Sequence, residues 1–199
     1  MRLKIVQTGE PVLRQRARAL SKEEILSEDI QRLISDMRET MRDAPGVGLA
    51  APQVGLPLQL AVIEDREEYL RDLRPEQIAE KERRSVPFHV IVNPAIAAAG
   101  DTEMIFHEGC LSVAGFVAVV PRWRKVRVEC LDQKGEPRVI EACGWYARIL
   151  QHEIDHLRGT LYLDRMLDQT FTTTDNFSRY WKDKQIKEVC LELRAKHGE

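Results

Sequence analysis

Apolar residues Ile30, Leu33, Ile34, Met37 and Met41 recur at three- and four-residue intervals, a spacing that gathers side chains on one helical face. The pattern predicts an amphipathic helix over residues 28–43, with Ser27 as its N-cap and Glu28 and Asp29 in its first turn. A glycine-bearing loop from Pro45 to Gln53 follows, then an apolar run from Leu58 to Ile63 that reads as a buried strand. From Glu64 to Pro87 charged residues dominate, and this stretch reads as a solvated surface excursion with some helix.

Strand signals then crowd together. Phe88–Val92, Met104–Phe106 and Phe116–Val120 are short β-rich runs, and Val126, Val128 and Cys130 alternate up to a turn at 132–136. A return strand around Val139 completes a hairpin. Tyr146, Ile149, Leu150, Ile154 and Leu157 form a second helical stripe between Gly144 and a stop at Gly159. From Asn176 onward, Phe177, Tyr180, Lys184, Val189 and Leu193 suggest a closing helix. A helix entering a strand-built core predicts an α+β domain.

At 199 residues the chain can bury a core as one domain spanning 1–199. Lys+Arg of 30 against Asp+Glu of 32 gives a formal charge of -2, which argues against a global footprint for nucleic acid. Cys110, Cys130, Cys143 and Cys190 form no Cys-x-x-Cys pair and are too scattered for a disulfide framework, which fits reduced thiols in a cytosol-like compartment. Cys130, Cys143 and Cys190 read as small buried hydrophobes. The start Met1–Gln7 lacks a signal-peptide core, and no segment approaches the ~20 apolar residues of a membrane span. A soluble cytoplasmic protein is expected, with a mitochondrial or plastid location after transit-peptide removal as the alternative.

The run Gln151-His152-Glu153-Ile154-Asp155-His156 carries the chemistry. Histidines at i and i+4 of a helix can reach one ion while the adjacent Glu153 faces the water beside it. A third ligand and an open position define a catalytic site. In one group of zinc proteases a third histidine follows the same helix; Gly159 has that spacing, but position 162 is Tyr. Glu188 or Glu192 would serve only if the tail folded back. Cys110 in Glu108-Gly109-Cys110-Leu111-Ser112, where strand patterning breaks, is the better candidate. A structural ion would need a fourth ligand, for which His107 is the applicant.

Gly46-Val-Gly-Leu-Ala-Ala-Pro-Gln53, Glu108-Gly-Cys-Leu-Ser112 and Gln151-His-Glu-Ile-Asp-His156 together resemble the three signature motifs of peptide deformylases. The resemblance covers residues 1–168, leaving 169–199 as a C-terminal extension with a helix. Its details resemble the mitochondrial and plastid branch. It implies antiparallel sheets packed around a central metal-binding helix, with a helix near each terminus. It also implies hydrolysis of the formyl group from N-terminal formyl-methionine of new polypeptides, releasing formate.

On this resemblance Cys110, His152 and His156 are the metal ligands. A metal there would lower the pKa of its water from about 15.7 toward neutrality, and Glu153 would act as general base and then general acid. Gln53 and the Leu111 N–H would stabilise the oxyanion. Val47 and Gly48 would pair with the extended substrate, and Phe106, Trp145 and Ile149 would complete a methionine pocket. Arg148 sits where relatives can be aliphatic, which bears on the pocket rim. The cofactor implied is one divalent ion, Fe(II) in the cell, with Zn(II), Ni(II) or Co(II) able to replace it. The implied partners are formyl-methionyl nascent peptides, with a ribosome contact as a candidate and neither nucleic acid nor membrane bound directly. Two readings stay open for Gly46 and Gly48, plain turns or close backbone approach. Glu108, Arg122 and Asp155 are either ligand-orienting or surface salt bridges.

Overall fold

The computed structural model describes residues 1–71 and 73–193. Helix α1 (Lys22–Leu26) precedes α2 (Glu28–Asp43), and each starts on a serine whose side chain accepts a backbone N–H, Ser21 from Glu24 and Ser27 from Ile30. The Ser21-x-x-Glu24 capping box was present in the sequence and marks α1, which hydrophobic spacing alone does not reveal.

Strands β1 (Gly48–Ala50) and β2 (Leu60–Asp65) come next, followed by α3 (Pro75–Glu80) and β3 (Val86–Ala98). After them run β4 (Glu103–Cys110), β5 (Val113–Trp123), β6 (Lys125–Leu131) and β7 (Pro137–Cys143). Helix α4 (Gly144–Leu157) follows, and the chain closes through β8 (Thr172–Thr173), α5 (Thr174–Asn176) and α6 (Ile186–Glu192). One sheet has the order β1-β2-β3-β6-β7 and a second the order β4-β5-β8, with every ladder antiparallel.

The period-2 alternation of the larger sheet divides its side chains between two helices. Leu60, Val62, Val90 and Val92 bury against Ile30, Ile34, Met37 and Met41 of α2. Ala61, Ile63, Ile91, Val126, Val128 and Ile140 bury against Ile149, Leu150, Ile154 and Leu157 of α4. Helix α4 also touches β5 of the smaller sheet, so it runs between the two sheets as expected. This is the α+β arrangement the sequence predicts.

Three expectations need correction. The charged stretch carries the expected helix, α3, and none of the described residues between 66 and 85 is buried, but its two ends are anchored. Glu64 and Asp65 lie buried at the end of β2, paired with Arg42 and Arg83, and the Lys81 carbonyl accepts the Trp145 N–H at 2.9 Å. Gly144 has φ +59, and a Cβ there would meet Glu82 and the Lys81 carbonyl, so this segment packs directly on the start of α4. Secondly, β3 is longer than the Phe88–Val92 run and continues through Asn93 and Pro94 to Ala98. Asn93 takes φ +51 at a register shift, and its side-chain amide bonds both the N–H and the carbonyl of Leu20. Thirdly, the tail is not one helix. A π-helical turn at Phe177–Trp181 is separated from α6, where the Gln185 N–H donates to the Glu188 carboxylate at a new helix start. The apolar positions Phe177/Tyr180 and Val189/Leu193 thus serve two segments. Cys130 is buried, whereas Cys143 and Cys190 are half-exposed. The part of the expected tail helix at 194–199 lies outside the described residues.

Candidate active site

Strand β4 ends at Cys110, and α4 presents His152 and His156 one turn apart. The ligand atoms of these three residues all lie within 4.8 Å of one another, and Cys110 Sγ is 3.2 Å from His156 Nε2. Donors bound to one tetrahedral ion at about 2.0–2.3 Å sit roughly 3.5 Å apart, so the cluster has the size and donor chemistry such an ion needs. The Ser112 N–H and the Gln53 amide both point at Cys110 Sγ, at 3.4 and 3.5 Å. His107, the candidate fourth ligand, is not part of this group. Its ring packs 4.6 Å from that of Phe177 and its buried Nε2 has no partner. Glu188 and Glu192 are also elsewhere, one capping α6 and the other paired with Lys184.

Behind His152 lies a buried charge network. Glu108 Oε2 meets His152 Nδ1 at 3.0 Å, an arrangement that places the ring proton on Nδ1 and leaves Nε2 as the donor toward an ion. Arg122 forks onto both Glu108 oxygens at 2.9 and 3.0 Å and also reaches Asp155. Arg165 holds Asp155 from the other side at 2.7 and 2.8 Å. Glu108, Arg122 and Asp155 are 6%, 3% and 4% exposed, which excludes the surface salt-bridge reading. Burial alone would raise the Glu108 carboxyl, but the Arg122 guanidinium overrides it and holds the group well below the usual carboxylate range.

Glu153 points into the same space. It is 4% exposed, its Oε2 has no hydrogen-bond partner, and burial pushes its carboxyl up to about 7. Neither Gly46 nor Gly48 has a positive φ, so they are not there for a left-handed turn. A Cβ on Gly46 would fall 2.9 Å from Leu111 Cδ1, and one on Gly48 would overlap the Glu153 side chain. Close approach is therefore the correct reading of both. Gln53 is 1% exposed, and its Oε1 accepts the Ala50 N–H at 2.9 Å, which fixes its NH₂ toward Cys110 and Ser112.

These residues border a cavity of about 500 Å³ whose wall includes Val47, Gly48, Gln53, Leu111, Trp145, Ile149, His152 and Glu153. Phe106 is not part of that wall. Its ring packs edge-on against Trp145 at 6.4 Å and borders a separate cleft with Lys81 and Trp181. Tyr162, the residue standing where the protease pattern would have a third histidine, is fully buried and stacks on the His152 ring at 6.3 Å. Nothing in the spacing of the sequence marks that role.

The family model for polypeptide deformylase matches residues 2–171. The chain is 47% identical to peptide deformylase 1A, chloroplastic/mitochondrial, of Arabidopsis thaliana over 95% of this chain and 68% of that one. It is 46% identical to peptide deformylase 1 of Bifidobacterium longum over 96% of this chain and 84% of that one. A Met-Ala-Ser-bound crystal structure of the class I type b peptide deformylase from Acinetobacter baumannii superimposes with a TM-score of 0.74 at 32% identity, over 83% of this chain and 99% of that chain. With its motif residues gathered around one cavity, the chain belongs to the polypeptide deformylase family.

Proposed function

We propose that this enzyme removes the formyl group from the N-terminal formyl-methionine of newly made polypeptides, with one divalent metal ion held by Cys110, His152 and His156. The observation that carries the reading is the convergence of those three donors beside an unpartnered carboxylate oxygen of Glu153. Such an ion, when bound, supplies Lewis-acid polarisation of water and of the formyl oxygen. Fe(II) is the ion assigned to the cell, and Zn(II) is the expected occupant after aerobic purification because it binds more tightly in the general order.

The substrate peptide is taken to extend along β1, which is an edge strand of its sheet and borders the cavity at Val47 and Gly48. Main-chain pairing reads no side chains, which suits a substrate set as varied as nascent proteins. The methionine side chain fills the cavity beside Trp145 and Ile149. The Met-Ala-Ser peptide in the Acinetobacter relative begins with the residue this reading requires.

Water attacks the formyl carbon as Glu153 takes its proton, and the same carboxyl returns that proton to the amine nitrogen when the C–N bond breaks. Formate and a free amino terminus result. The Gln53 amide, held by Ala50, and the Leu111 N–H stabilise the negative charge that builds on the formyl oxygen. The reading places the enzyme where translation starts with formyl-methionine, in the bacterial cytoplasm or an organelle. Among the described residues no helix is long and apolar enough to cross a membrane. The test is formate release from formyl-Met-Ala-Ser by protein purified without oxygen. Formate at substrate stoichiometry supports the reading, and its absence from metal-loaded protein overturns it.

A further inference from the structure

Arg148 borders the cavity beside Ile149 and His152 of its wall. It is 3% exposed and is buried between α4, β4 and β5, with donors to three acceptors: Glu108 Oε1 at 2.6 Å, the Val120 carbonyl at 2.8 Å and the Met104 carbonyl at 2.5 Å. The rings of Phe106 and Trp145 lie 5.4 and 5.9 Å from the guanidinium carbon, within cation–π range. Burying a guanidinium is costly unless it is fully paired, and a site that needed only packing would take an aliphatic side chain.

The pairing reaches a candidate metal ligand. Arg148 and His152 are four residues apart on α4, hence on one face, and a single carboxylate spans them. Glu108 Oε1 accepts from Arg148 while Oε2 meets His152 Nδ1. Arg122 also holds Glu108, but it is shared with Asp155 farther along the helix. With Arg148 removed, Oε1 would keep only the Arg122 Nε donor at 2.9 Å, and the carboxylate would be free to rock away from His152. Phe106 takes its place in this scheme as a ring that packs on Arg148 rather than as part of the cavity wall.

We propose that Arg148 is a positioning residue, which, through the shared carboxylate of Glu108, fixes the His152 ring with its proton on Nδ1 and its Nε2 toward the metal. The proposal rests on the reading of Cys110, His152 and His156 as ligands.

The test compares the parent with Arg148→Met and Arg148→Lys. Zn(II) affinity of the metal-free proteins is measured by competition with a chromophoric chelator, and the His152 tautomer by ¹⁵N shifts at one fixed alkaline pH. Loss of an orienting partner typically costs about 10–100-fold in metal affinity, and that loss is expected in Arg148→Met, together with a mixed tautomer at His152. Arg148→Lys retains the charge but cannot reach all three acceptors, so it should fall between the two. Unchanged affinity and an unchanged tautomer in a folded variant would overturn the proposal, even if its thermal stability had dropped. Should Arg148→Met fail to fold, Arg148→Lys decides by the same readouts. A parent that binds no zinc would instead overturn the ligand reading, and the tautomer comparison alone would then decide the role of Arg148.

Discussion

The backbone of Gly48 lies directly against the side chain of Glu153: a Cβ built on Gly48 would come within 2.7 Å of Glu153 Cγ and nearer still to its carboxyl group. The loop that is proposed to pair with substrate and the proposed proton acceptor therefore occupy one tightly fitted space. Gly48→Ala should push Glu153 aside. A misplacement of about 1 Å at a reacting group costs on the order of a hundredfold in rate, so kcat/KM for formyl-Met-Ala-Ser should fall by about that factor with metal content unchanged. Parent-like kinetics in the variant would show that the contact has no bearing on the reaction.

Gln53 has two separable jobs, which predicts two separable losses on truncation. Gln53→Ala removes a proposed oxyanion donor, for which about a hundredfold to a thousandfold drop in kcat is expected. It also leaves the Ala50 N–H without its acceptor, costing about 1–3 kcal/mol of folding stability. Steady-state kinetics and urea unfolding measure the two independently. A stability loss with kcat preserved would confine Gln53 to holding the loop.

His107, which borders the cavity but is not one of the three clustered ligands, gives the fold a pH dependence. Burial, helped by the nearby Lys81 ammonium, lowers the His107 pKa from 6.5 to about 4, so the ring is buried neutral. Below pH 6.5 the unfolded chain takes up a proton there that the folded chain refuses until about pH 4. Stability should thus decline as pH falls through that window. His107→Gln should flatten the decline without abolishing it, because burial lowers the pKa of His89 as well. Urea midpoints measured across the window check this, and a variant with the parent's slope would contradict it.

How much of this was legible in the chain differs by element. Helix α2 could be read from Ser27 and its apolar stripe because local capping and one-sided burial agree there. The site motifs could be read because their spacing carries the chemistry: histidines one turn apart, and a cysteine at the end of a strand. The path of the Glu64–Pro87 stretch was not legible, because its order comes from partners far away in sequence, Glu82 with Arg124 and Lys81 with Trp145. Arg148 was visible as an unusual residue but not as a buried one, since only the fold brings Met104, Glu108 and Val120 around it. Tyr162 has no local signal at all. The tail misled because two short apolar stripes, on either side of a break at Gln185, happen to share helical spacing.

The central claim is that Cys110, His152 and His156 hold one ion while Glu153 moves the proton. Metal content and formate release, measured together on anaerobically purified parent, Cys110→Ala and Glu153→Ala, test it most directly. The account predicts one equivalent of metal and turnover in the parent, loss of both in Cys110→Ala, and in Glu153→Ala a full equivalent of metal with turnover reduced by about a hundredfold or more. Full metal and normal formate release in either variant would contradict it.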